Sequence, residues 1–341
     1  MQPGLLIAAL LLVFPFTKDD PQTKNEPPAA ILHQGGIQDI PSVASSLVAY
    51  PVRCGDHGNL FFRMYKDDPL NAPVVEVSAD ASSVIHTFNF LAIHDPILSK
   101  PDGLKVSDFQ VHGSTLYAIA LDGDQNPVVL KFSTDDGSYL GAFALEKGFF
   151  AQKFAIFDSG GIVLTGLFTQ ADPNTGQNRS ENVTAEYDRD GRFVQYLKMI
   201  GDVTLAGPKP SPAELQTLSF THMAASGSNV YILRPGPEPS LYVVPEGGGK
   251  IERHTLWSPG PSWLVFSLLV SGDRALISFV HDPTTDGTRT QYVQYSLSSF
   301  EATSTTQSNP DVVGAFGCTD WQGTFFFVTT RNKHVAVLRA K

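Results

Sequence analysis

Long helical patterns are missing from this chain of 341 residues. The nearest candidate, "SPAELQTLSF" at 211–220, runs for only about two turns, with Ser211 and Pro212 placed as a start signal. Basic residues are scarce too. There are 24 Lys and Arg against 34 Asp and Glu, a net charge of −10, and no basic stripe, which argues against nucleic acid as a partner. There are two cysteines, with no C-x-x-C and no Cys/His cluster, so no zinc spacing is present. No G-x-S-x-G, P-loop or H-E-x-x-H motif occurs, and no pair of acids stands at a spacing that points to glycoside cleavage. The sequence therefore names no catalytic residue and no cofactor.

A bilayer-spanning run is also lacking. "GLLIAALLLVFPF", 4–16, has the length of a signal-peptide core, although no Lys or Arg precedes it and no clear A-x-A site follows. Residues 1–17 read as a leader or N-terminal anchor, 18–29 as a polar, proline-rich linker, and 30–341 as the folded unit. That reading places the protein outside the cytoplasm, in a periplasmic or extracellular space, with membrane contact only through an uncleaved leader. Two cysteines fit one disulfide in such a compartment, or else two buried thiols; spacing alone does not choose.

What the chain has in quantity is Phe (23), Tyr (10), Gly (29) and Pro (24), the composition of many short strands joined by turns. It also repeats itself. "CGDHGNLFFRMY" (54–65) is echoed by "CTDWQGTFFFVTT" (318–330), each opening on a cysteine with Asp two places on (Asp56, Asp320). A strand, a turn with Gly, then an apolar strand recurs six times, anchored at Gly58, Gly113, Gly161, Gly227, Gly272 and Gly323. A second hairpin follows most anchors, clearest in "PVVLKFSTDDGSYLGAFAL" (127–145). Four strands per unit at this spacing are the period of propeller blades. The expected fold is all-β: a six-bladed β-propeller of four-stranded antiparallel blades. A lone four-stranded sheet has no cover for its two faces, whereas a ring of them covers every one. The last unit ends after its third strand, so a strand from 30–50 is expected to complete the last blade and close the ring.

"DHGNLFF", "VVLKFSTDDGSYLGAF" and "AEYDRDGRF" resemble the blades of bacterial six-bladed NHL-type propellers. The resemblance spans about residues 46–341. Units four and five depart from it, lacking the Asp before the anchor. It implies a propeller but fixes function weakly, because such folds serve both as binding scaffolds and as lactonases or lyases.

Stepping five positions back from each anchor gives Arg53, Asp108, Ile156, His222, Ser267 and Cys318, with Lys153 close by. Arg53, Asp108, Lys153 and His222 are the channel candidates, suited to a small polar or anionic ligand or simply to bonding water and backbone. Phe149 and Trp263, with the long segment 201–218, are candidates for a rim that meets a protein or carbohydrate partner. "DGDQNP" spaces Asp122, Asp124 and Asn126 as calcium loops do, but Pro127 stands where such a loop needs Gly, and Ser133 where it needs Glu. The first expectation is an exported binding module or scaffold. The alternative is a hydrolase or lyase at the channel mouth, with or without a metal.

Overall fold

The computed structural model describes residues 27–44, 47–55, 58–65, 71–100, 103–171, 176–200, 203–207, 222–236, 238–281, 289–331 and 334–341. The proposed leader, most of the linker and the helical candidate at 211–220 lie outside them.

Six sheets follow one another along the chain. Blade 1 holds β3 (Leu47–Cys54), β4 (Leu60–Tyr65), β5 (Val74–Val77) and β6 (Val84–Phe88). Blade 2 holds β7 (Lys105–His112), β8 (Thr115–Leu121), β9 (Pro127–Ser133) and β10 (Tyr139–Ala144). Blade 3 has β11 (Phe149–Ile156), β12 (Ile162–Ala171), β13 (Asn178–Tyr187), β14 (Phe193–Ile200) and a fifth strand, β15 (Val203–Gly207). Blade 4 is β16 (His222–Ser226), β17 (Asn229–Arg234), β18 (Ser240–Pro245) and β19 (Glu252–Thr255). Blade 5 is β20 (Trp263–Ser271), β21 (Arg274–His281), β22 (Thr290–Ser296) and β23 (Ala302–Ser308), and blade 6 contributes β24 (Ala315–Thr319), β25 (Phe325–Arg331) and β26 (His334–Ala340).

The N-terminal segment closes the ring, as expected, but it is shared among three blades. β2 (Gln34–Ala44) lies antiparallel on β26 and completes blade 6. β1 (Ala29–Leu32) instead lies parallel to β23 as a fifth strand of blade 5, and β3 is already the innermost strand of blade 1.

The core sits between blades, in six apolar clusters. Phe61 and Phe88 of blade 1 meet Phe109 and Leu130 of blade 2. Ile119 and Val129 meet Phe154 and Leu164. Val163 meets Ile232 and Tyr242, and Leu241 meets Ile277 and Val293. Tyr292 meets Phe327 and Leu338. Val328 and Val337 of blade 6 then return to Leu60 and Val75 of blade 1, with Ile40 of β2 among them. Six seams for six blades make a closed circle. A middle strand has a neighbouring blade on each face, so it reads as an unbroken apolar run: β5 is buried at all four positions, whereas outer β19 is mostly exposed.

Five of the six anchoring glycines take positive φ. In blades 2, 4 and 5 the Gly stands first in a two-residue turn, the place that a type II′ hairpin reserves for it. Blade 3 is the exception: Gly160 (φ +91°), not Gly161, takes the left-handed position. The insertion at 169–182, expected as an excursion, is largely an extension of the β12–β13 hairpin, paired as far as Ala171 and Asn178.

Candidate functional site: an axial cavity with a charged inner end

The innermost strands end at Cys54, His112, Ile156, Ser226, Ser271 and Thr319. All six residues line one cavity of about 620 Å³. It lies on the propeller axis, at the side where these strands turn into their first hairpins. Arg53, Gln110, Asp158, Asp320, Trp321 and Phe326 are also in its wall.

Five innermost strands carry a register shift part way along, at Ala49/Arg53, Val106/Asp108, Ala151/Lys153, Val265/Ser267 and Phe316/Cys318. A bulge re-aims the side chain that follows it, and Arg53, Asp108 and Lys153 each follow one. At the blade 3 shift the chains approach so closely that a Cβ on Gly166 would stand 2.1 Å from the Phe150 carbonyl oxygen. Only glycine fits there, and its absence of a side chain lets Lys153 turn inward.

Asp108 is fully enclosed. Its Oδ1 accepts from the Phe109 N–H at 2.9 Å and faces Arg53 Nη2 at 3.4 Å. Lys153 Nζ stands 3.6 Å from Oδ2. Arg53 Nε also donates to the Phe109 carbonyl at 3.3 Å. Gln110 shares a strand face with Asp108 and lines the cavity, so Asp108 lies deeper along the axis than the wall. His222 completes the group. Burial holds its imidazole down to about 4; the charges of Lys153 and Arg53 act in the same direction, and Asp108 opposes them. At neutral pH the cluster thus holds two cations, one carboxylate and a neutral imidazole.

That depression has a measurable consequence. His222 is protonated in the unfolded chain below pH ~6.5 but stays neutral in the fold down to about 4. Stability is therefore lost as pH falls through this window. Between pH 7.5 and 5 the wild type should lose about 2 kcal/mol more than His222→Gln. Urea titrations at the two pH values check it, and parallel losses would refute it.

The structure brings together Arg53, Asp108, Lys153 and His222. It separates the other candidates. Phe149, expected on a rim, is buried against Phe168 in the seam between blades 2 and 3. Trp263 is half-buried, edge-on to His281 with ring centres 5.1 Å apart. Of the rim segment 201–218, only 203–207 is described, as strand β15. Asp122 does not present free oxygens to a cation: Oδ1 accepts the N–H groups of Asp124 and Asn126, and Oδ2 those of Ser99 and the Asn126 amide. Asp124 pairs with Lys100. Asp188 and Asp320 hold their turns by the same bonds to the second and fourth N–H onward, so the alternate-residue spacing is that of a turn. Among the described residues no cluster of three or more His, Cys, Asp or Glu suits a metal ion.

Cys54 and Cys318 are joined by a disulfide, with Cα atoms 6.0 Å apart. The neighbouring inner strands of blades 1 and 6 thus come within bonding range. Sequence reading missed Trp321. It lay inside the quoted echo, at the only point where that turn carries an indole.

The fold and the cavity define a six-bladed β-propeller with an axial site. No protein-family model matches the chain, and no curated protein matches it. Among solved structures it is similar to a DUF4221-family member from Bacteroides vulgatus, 10% identical over 91% of this chain and 97% of that one, with a TM-score of 0.55. That likeness is one of fold. A luciferin-regenerating enzyme (8% identity, 90% and 95% coverage, TM-score 0.49) overlaps more loosely. So does a prolyl endopeptidase (13%, 84% of this chain, TM-score 0.45), of which the chain spans 46%. Neither bears on function.

Proposed function

We propose that the chain is an exported, NHL-like propeller that acts as a binding module, and that its partner, a protein or a carbohydrate, places a group in the axial cavity. The observation that carries this is the cavity's construction: every blade supplies the end of its innermost strand to one wall. Such a pocket exists only when the ring is closed. The disulfide supports an oxidising compartment and hence export. The hydrolase or lyase reading falls on the same four residues, but Asp108 has no open face toward a substrate. Binding is the better fit.

Ser271→Trp would put an indole into the wall. Arrays of peptides and oligosaccharides probed with the oxidised protein should give ligands whose affinity this variant lowers by at least about tenfold. Binding that survives the filled cavity would move the partner to the rim.

A further inference from the structure

Resting on the axial cavity as the binding site, we propose that its ligand is a short oligosaccharide bearing a carboxylate, a uronate-type sugar, with the acidic end innermost. Three observations converge on this chemistry.

The first is Trp321. It is a non-glycine residue at φ +59°, a conformation that costs on the order of 1–3 kcal/mol and persists only where surroundings impose it. They do so here. The Trp321 N–H donates to Thr319 Oγ1 at 3.1 Å. Arg274 donates to the Trp321 carbonyl at 2.9 Å and lies 5.1 Å from the ring centre. The backbone of the turn is thus pinned, and the indole in the cavity wall is held by Arg274 over its ring and by packing against the apolar cluster between blades 5 and 6. A rigid ring of this kind offers an apolar face to the C–H face of a pyranose and loses little entropy on binding.

The second is the rest of the wall. Ser226, Ser271 and Gln110 are neutral groups that pair with hydroxyls. Gln110 Nε2 already donates to the Phe154 carbonyl at 2.9 Å, which fixes the amide and leaves its oxygen to accept. A volume of about 620 Å³ lies within the roughly 300–1,000 Å³ of small-molecule sites.

The third is polarity. Two cations face one carboxylate at the inner end. Arg53 lines the cavity, and its two bonds, at 3.3 and 3.4 Å, are long and engage only part of a five-donor fork. A ligand carboxylate would take up the unbalanced positive charge through that fork. Among the described residues Asp158 and Asp320 are the acids of the wall, and the whole chain carries −10. Such a field opposes polyanions, so the acidic groups on the ligand are few.

Calorimetry on the oxidised protein, with digalacturonate and the neutral digalactose of the same linkage, tests this. The acidic sugar should bind at least about tenfold tighter, and added salt should erase that preference. Arg53→Gln should abolish the preference. Arg53→Lys, which keeps a charge on Asp108 and so protects the fold, should reduce it. Trp321→Ala should weaken both sugars alike. Equal affinity for the two sugars would overturn the acidic ligand while leaving a carbohydrate site. Acidic-sugar binding untouched by Ser271→Trp would overturn the cavity itself. Binding of peptide C-termini with neither sugar bound would overturn the sugar and keep the cavity.

Discussion

Replacing Cys54 and Cys318 with serine should lower the free energy of unfolding by about 5 kcal/mol. The bridge spans 264 residues of sequence, so in the unfolded chain it closes a very long loop. Loop-closure entropy grows with the logarithm of length, and the cost removed from folding is near the top of the usual range. The bridge also ties the seam between the first and last blades, which the chain itself crosses where β2 of blade 6 runs on into β3 of blade 1. Blade 6 meets blade 1 through β24 and β25 against β3, through the cluster of Val328 and Val337 with Leu60 and Val75, through the Arg339 hydrogen bond to the Ala79 carbonyl at 2.9 Å, and through this bond. The double variant should therefore unfold at a temperature lower by roughly 10 °C, and wild type in excess dithiol should follow it. A change below about 1 kcal/mol would mean that the other contacts alone hold the seam as tightly as the bonded ring.

The ring was legible in the sequence because its period is a matter of local chemistry. Gly113, Gly227 and Gly272 each mark a two-residue turn that requires positive φ, and the apolar runs after them are the strands that blades cover on both faces. Depth along the axis was not legible. Counting back from a glycine assumes equal turns, yet the first turn is two residues long in blades 2, 4 and 5 and five in blades 1, 3 and 6. The count therefore chose Ile156 in blade 3, where the side chain that reaches Asp108 is Lys153. Bulges compound the problem, since they shift which residue faces inward without any change of composition. Phe149 shows the other limit. A Phe at the start of an innermost strand reads the same whether it meets solvent or a neighbouring blade, and only the packing of β11 on β12 decides.

Asp108→Ala should cost about 3–5 kcal/mol, because it strips the one enclosed anion from between Arg53 and Lys153 and leaves two cations facing each other near His222. Lys153→Met added to that background should recover at least about 1 kcal/mol, a coupling that a double-mutant cycle in urea reads directly. Additive losses would show that Asp108 acts through Arg53 and the Phe109 N–H alone. Converting all four residues to apolar ones of similar size, by contrast, should leave stability within about 1 kcal/mol of the wild type, since the enclosed Asp108 loses more hydration than its pairing with the partly exposed Arg53 and Lys153 returns. Stability alone therefore does not account for this cluster at the inner end of the cavity. Only the apolar ring would separate the two roles: intact in the urea titration, silent toward the acidic sugar. A ring that keeps its ligand after losing all three charges would show that the cavity recognises shape without them.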